Sequence, residues 1–110
     1  MNVARFSREQ AQPAHNGTIL AMPVLPEGMK APFWHSWGYV EQGGAIEGHA
    51  HASDEVYFIY RGQGTITVGT EERAVSEGDM IAIPGTAYHA LCNSGAGSLQ
   101  WFALWWPPLA

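Results

Sequence analysis

The residues most able to do chemistry lie in a short stretch, GHAHASDEVYFIYRG, at positions 48–62. His49 and His51 are one residue apart, and Glu55 follows at the head of an apolar run that ends in Gly62. In an extended strand, residues i and i+2 face the same side, about 6.7 Å apart along the backbone. Two imidazoles so placed can converge on one cation, with bonds of roughly 2.0–2.1 Å for zinc. Glu55 has the same alternation, but a straight strand would carry it about 13 Å from His51. The intervening Ala-Ser-Asp must therefore bend, and Ser53 and Asp54 are suitable turn formers. Glu55 then returns on the neighbouring strand and faces the same cavity. An isolated His-x-His could equally be a solvated pair on an outer face. Three facts argue against that here: the glutamate at a workable distance, the use of two of only five histidines in one pair, and a further histidine, His89, on a strand opening at the Pro84-Gly85 turn.

Other residues could contribute. Tyr57 and Ile59 alternate in step with Glu55 and should point inward on a regular strand, so the Tyr57 hydroxyl could act beside a bound ion or simply be satisfied in the core. Glu47, two before His49, is a candidate proton acceptor or a solvated rim residue. Arg61 could clamp a carboxylate, although its place at a strand end favours a rim ion pair. His35 is read as a strand-surface residue. Cys92 alternates opposite to His89 and is read as a structural thiol, since no motif activates it. Trp34, Trp37, Trp101, Trp105 and Trp106 are too many to hide entirely in so small a chain; some could line a pocket and others an interface.

The elements that must position these groups are short strands. Segments 33–42, 55–61, 65–69, 80–84, 86–93 and 98–106 are apolar, aromatic or β-branched, and they are separated by Gly-rich turns, as in a small antiparallel barrel or jelly roll. Segment 18–25 is strand-like but contains Pro23, which confines it to an edge or a bulge. Residues 1–17 are polar and read as a mobile arm, 18–106 as the barrel, and 107–110 as a short tail.

With the motifs in view, the chain resembles the cupin superfamily. Gly43, His49, His51, Glu55 and Gly62 fit its first motif, G-x5-H-x-H-x3,4-E-x6-G, at every position. Gly78, Pro84, His89 and Asn93 fit the second, while its internal glycine is displaced by one: Gly85 directly follows the proline and Thr86 stands where glycine is expected. The resemblance implies an all-β, single-domain antiparallel barrel. It also implies that His49, His51, Glu55 and His89 bind one divalent transition-metal ion (Fe, Mn, Ni, Co or Zn) with positions left open for water or substrate. It does not choose a reaction, because cupins include dioxygenases, isomerases, lyases, cyclases and non-catalytic binders.

Composition narrows the rest. The chain has 110 residues, 46% of them hydrophobic, with a net charge of −5 and five scattered Lys and Arg side chains. There is no basic stripe for nucleic acid or anionic lipid, no apolar run long enough to cross a bilayer, and no apolar leader segment. The single cysteine excludes an internal disulfide, and a cytoplasmic protein is expected. The aromatic load and the resemblance together lead us to expect a homodimer. The expected function is a small metalloenzyme acting on a small organic molecule, with dioxygenase-like oxidation preferred to isomerase, lyase or cyclase chemistry. Tyr57 and Glu47 are the candidate acid–base groups, and the alternative is a non-catalytic metal- or metabolite-binding module.

Overall fold

The computed structural model describes residues 1–107. It contains ten strands and, among the described residues, no helix: β1 (Gln12–Ala14), β2 (Ile19–Met22), β3 (Trp34–Val40), β4 (Ala45–His49), β5 (Asp54–Arg61), β6 (Gln63–Val68), β7 (Glu71–Ser76), β8 (Met80–Ile83), β9 (His89–Asn93) and β10 (Leu99–Trp106). They form a six-stranded sheet in the order β1-β2-β3-β10-β5-β8 and a four-stranded sheet in the order β4-β9-β6-β7. All pairings are antiparallel. The long crossovers between sheets make this a jelly roll, in agreement with the expected all-β barrel.

Alternation along the strands sends one set of side chains between the sheets. On β5, Glu55, Tyr57 and Ile59 are buried while Phe58 and Tyr60 are exposed. Facing them, Ile46, Ile66, Val75 and Leu91 of the smaller sheet join Val40, Ile83, Leu99 and Trp101 in one core cluster. Two glycines are required by this packing. Gly62 turns the chain from β5 into β6 at φ 93°, and a Cβ there would sit 3.1 Å from Leu99 Cα, so the glycine closing the first motif is dictated by both conformation and space. Gly38 lies beneath the Trp101 indole, where a Cβ would come within 2.9 Å of Cδ2 and closer still to the six-membered ring.

The structure differs from the sequence reading in three places. The polar segment read as an arm contributes β1, which pairs with β2. The edge is therefore β1, where Pro13 is tolerated, and 18–25 is not an edge: β2 lies between β1 and β3 and ends at Met22, before Pro23. The last strand of the second motif starts at His89 rather than at 86, because Thr86 has φ 70° and holds a turn. Of the expected tail, residues 108–110 lie outside the described residues.

Candidate metal centre

The two motifs meet between the sheets, one turn docked on the other. The Thr86 N–H donates to the His51 carbonyl at 2.6 Å, and the Gly85 N–H donates to Asp54 Oδ1 at 2.7 Å. The bend before Glu55 and the turn before His89 thus hold each other. Ser53, 1% exposed, ties the bend down further by donating from its hydroxyl to the Pro107 carbonyl at 3.0 Å. Asn93 anchors the far end of β9, its amide donating toward the Val40, Glu41 and Gly97 carbonyls.

Each imidazole is oriented in the same way. Nδ1 of His49 lies 2.9 Å from the Glu47 carbonyl, Nδ1 of His51 lies 3.0 Å from that of Ser53, and Nδ1 of His89 lies 3.0 Å from that of Ala87. A carbonyl can only accept, so in the neutral ring each Nδ1 carries the proton and each Nε2 keeps a free lone pair. The Nε2 atoms of His51 and His89 face Glu55, whose Oε1 lies 2.9 Å from the first and 3.2 Å from the second. The first contact has hydrogen-bond geometry and needs a proton between Nε2 and the carboxylate, a place a cation can take instead; the second is not aligned as a hydrogen bond, and His89 Nε2 is buried with no hydrogen-bond partner among the described residues. The His49 ring lies 4.2 Å, centroid to centroid, from the His89 ring and 5.6 Å from that of His51.

One ligand atom from each of His49, His51, Glu55 and His89 lies within 4.8 Å of all the others. Ligands of a single ion at about 2.1 Å each stand some 3–4 Å apart, so small side-chain adjustments suffice. Three neutral imidazole nitrogens, one of them buried and unsatisfied, and a carboxylate are a donor set that suits a divalent transition metal. The cluster could therefore hold one ion.

The protonation balance within the cluster is uneven. Burial holds His49 below the ordinary imidazole range, only partly offset by its bond to the Glu47 carbonyl. Burial also pulls His89 down, but the Glu55 carboxylate and the Ala87 carbonyl outweigh it, and the net shift is upward. Tyr57 is pushed well above the normal phenol value, by burial first and the Glu55 charge second. Its hydroxyl remains protonated and can donate but cannot act as a base near neutral pH.

The cluster opens into a cavity of about 440 Å³ lined by β1, β2, β3, β10 and the start of β5. Tyr57 lies on its wall, with its ring 6.0 Å from His89 and 5.8 Å from Trp101. Trp101 and Trp105 line it, whereas Trp34 and Trp106 are 48% and 40% exposed. Arg61 lies over the Tyr60 ring, away from the cavity, and Cys92 is exposed.

Two sequence expectations need correcting. Glu55 is not on a strand paired with β4: it belongs to the opposite sheet, and the cluster spans both. Glu47 does not turn inward with His49. The pairing of β4 with β9 shifts register between Ile46 and His49, so Ile46 faces the core and alternation fails at Glu47. Its carboxylate instead accepts from Asn16 Nδ2 at 2.8 and 3.1 Å. That bond reveals a residue the sequence reading missed. Asn16 belongs to the β1–β2 turn, in which His15, Asn16 and Gly17 all have positive φ. The turn sets the His15 ring 4.6 Å from His49 at the cavity wall. No local signal marked His15; the polar, turn-forming Asn-Gly after it was the available hint. His35, assigned no role, also lines the cavity, its Nδ1 accepting from the Val24 N–H at 3.1 Å.

The jelly roll and the four-residue cluster at its mouth define the class of protein, and the chain belongs to the cupin family: the family model for the cupin domain matches residues 36–106. It is similar to an uncharacterized protein of Methanocaldococcus jannaschii, at 36% identity over 61 residues, covering 54% of this chain and 49% of that protein. The chain matches less than half the length of its curated relatives. Among solved structures, it superposes on a cupin 2 conserved barrel domain protein of Salinispora arenicola with a TM-score of 0.84 at 24% identity, covering 96% of this chain and 88% of that one. It also superposes on a Thermotoga maritima protein described as a predicted oxalate decarboxylase, with a TM-score of 0.81 at 20% identity, covering 94% and 97%. These superpositions concern the fold.

Proposed function

We propose that His49, His51, Glu55 and His89 hold one divalent transition-metal ion, and that the protein is a metal-dependent enzyme acting on a small organic molecule. The observation that carries this reading is the common orientation of the three imidazoles: every Nδ1 is held by a backbone carbonyl, and the Nε2 lone pairs are left for an ion at the edge of an apolar-walled cavity. When bound, a redox-active ion such as Fe(II) would supply electron transfer toward O₂, and a redox-inert one would polarise a carbonyl. Dioxygenase-like oxidation is preferred to isomerase, lyase or cyclase chemistry, because Tyr57 is held protonated and Glu47 is engaged with Asn16, which leaves no carboxylate or phenolate base on the described cavity wall outside the cluster, only the His15 and His35 imidazoles. Tyr57 donates a hydrogen bond to a substrate oxygen. Glu47 fixes the hairpin that carries His15. Trp101 and Trp105 exclude water from the substrate body. We further propose a cytoplasmic protein, with which the free Cys92 is in keeping.

Elemental analysis tests the site directly. The wild-type chain should carry one ion, and His49→Ala combined with His51→Ala should carry none; full metal in that variant would refute the assignment. Turnover of candidate substrates by Fe-loaded and Zn-loaded protein, in air and under argon, tests the reaction. Zinc has a filled d shell, so turnover that persists with zinc under argon would end the oxygenase reading. Tight metabolite binding without turnover on any metal would identify a binding module instead.

A further inference from the structure

The charge distribution around the cavity restricts what it can accept. This argument rests on the metal reading above. A dication balanced by Glu55 alone, with three neutral imidazoles, leaves a net charge of +1. None of the chain's five Lys and Arg side chains lines the cavity. Arg8 pairs with Glu41, Arg61 lies over Tyr60, and Arg5, Lys30 and Arg73 are exposed elsewhere. One ligand charge is therefore neutralised, while a second would meet no Lys or Arg, only the His15 and His35 imidazoles on an otherwise largely apolar wall, a costly arrangement.

The wall supplies the complementary half of the argument. Ala21, Ser36 and Ala103 line the cavity from three strands of the six-stranded sheet, and their small side chains leave room opposite the cluster. The space they leave is bounded by Trp101 and Trp105. Beside the cluster, Tyr57 lines the cavity, and none of the hydrogen bonds among the described residues engages its hydroxyl. A cavity-lining hydroxyl left without a protein partner is one a ligand oxygen can satisfy.

We infer that the cavity takes a singly charged chelate: a small molecule with an aromatic or branched apolar body and one pair of adjacent oxygen donors, only one of them ionised. The donor pair meets the ion and the Tyr57 hydroxyl, and the body lies against the two indoles. Dianionic chelators, oxalate among them, are disfavoured.

The test uses the full chain loaded with Co(II). Cobalt content is first measured by elemental analysis, and the cobalt absorption bands and calorimetry then report binding of three probes: glycolate, mandelate and phenylmalonate. Glycolate and mandelate share a chelating head, and mandelate adds a phenyl body. Phenylmalonate keeps the body but is dianionic, and in water it chelates more strongly. Mandelate should bind at least tenfold more tightly than glycolate, and phenylmalonate at least tenfold more weakly than mandelate. Gln12→Arg, at an exposed β1 position lining the cavity, should recover phenylmalonate binding at least tenfold. If glycolate matches mandelate, or if phenylmalonate binds the wild type more tightly than mandelate, this inference falls while the metal site stands. A chain that takes up no cobalt overturns the metal reading and this inference with it.

Discussion

Replacing His89 by leucine, which is similar in volume, should make the metal-free protein more stable and the metal-loaded protein less so. His89 is 1% exposed, and its Nε2 has no hydrogen-bond partner among the described residues. Leaving such an atom buried and unsatisfied costs about 1–3 kcal/mol. Leucine removes that cost and also removes the Nδ1 contact to the Ala87 carbonyl, a bond contributing about 0.5–1.5 kcal/mol. The Ala87 carbonyl lies on a partly exposed turn residue, where water can replace the donor. The net gain is about 1 kcal/mol, or a rise in Tm of about 4 °C or slightly more for a domain this size. The wild type, by contrast, gains about 2.7 kcal/mol at a free ion concentration 100 times its Kd, equivalent to about 10 °C. The order of melting temperatures should therefore reverse between chelator-treated and metal-loaded samples. Calorimetry at mildly alkaline pH reads both. A metal-free variant destabilised by about 2 kcal/mol or more would show that Nε2 is already satisfied, as a donor to Glu55. A variant that kept the full metal-induced shift would remove His89 from the ligand set.

Three further outcomes are expected. Thr86 is a β-branched residue at φ 70° with an exposed side chain, a conformation costing about 1–2 kcal/mol; Thr86→Gly should raise stability by about 0.5–1 kcal/mol in urea unfolding after the added unfolded-state entropy is subtracted, and a loss of stability would contradict the strain. The stability of the metal-free protein should pass through a maximum near 6.5, because the lowered His15 and His49 contribute stability present above 6.5 and lost as pH falls through their lowered values, while the raised His89 contributes stability present below 6.5 and lost as pH rises through its raised value. Metal requires the His49 and His89 rings neutral, so the metal-induced rise in Tm should shrink as pH falls below the raised His89 value, and an increment independent of pH down to 5 would argue against imidazole ligation. Finally, the outer face of the six-stranded sheet exposes Phe58, Tyr60 and Met80 near Trp37, and light scattering at micromolar concentration should give a dimer mass; a monomer mass unchanged by concentration would reject the dimer.

Much of the fold was legible because short strands and their turns are written locally. Nearly every apolar run between glycine-rich turns became a strand. What escaped depended on distant contacts. β1 lies in a polar segment with no alternating apolar pattern, and it exists because β2 offers it a pairing edge. His15 reaches the site through a left-handed turn fastened by Asn16 to Glu47, thirty-one residues away in sequence. Of the two readings of Glu47 the solvated rim is the one in keeping with the structure; the inward alternative is lost to the register shift between Ile46 and His49, which a period-two rule cannot foresee. Thr86 illustrates the opposite case: the displaced motif glycine was visible in the sequence, and the structure shows that the left-handed turn is kept in spite of it.

The candidate donor cluster can be read from the sequence, and the cavity wall beside it cannot, for one physical reason. Each imidazole is oriented by a carbonyl two residues away along the chain: Glu47 for His49, Ser53 for His51 and Ala87 for His89. Such contacts are carried within a short segment, so a compact motif can encode them. The docking of one motif turn on the other adds only two hydrogen bonds, from Thr86 and Gly85. The cavity wall is assembled differently. Gln12, Ala21, Ser36 and Trp105 come from four strands spread across most of the sequence, and their juxtaposition depends on sheet order rather than spacing. Substitutions in that wall can change the accepted body or charge without touching the donors, because no wall residue holds an imidazole in place. A fold built this way can keep its donor cluster while the cavity beside it changes, and in this chain the six-stranded sheet supplies most of that cavity's wall.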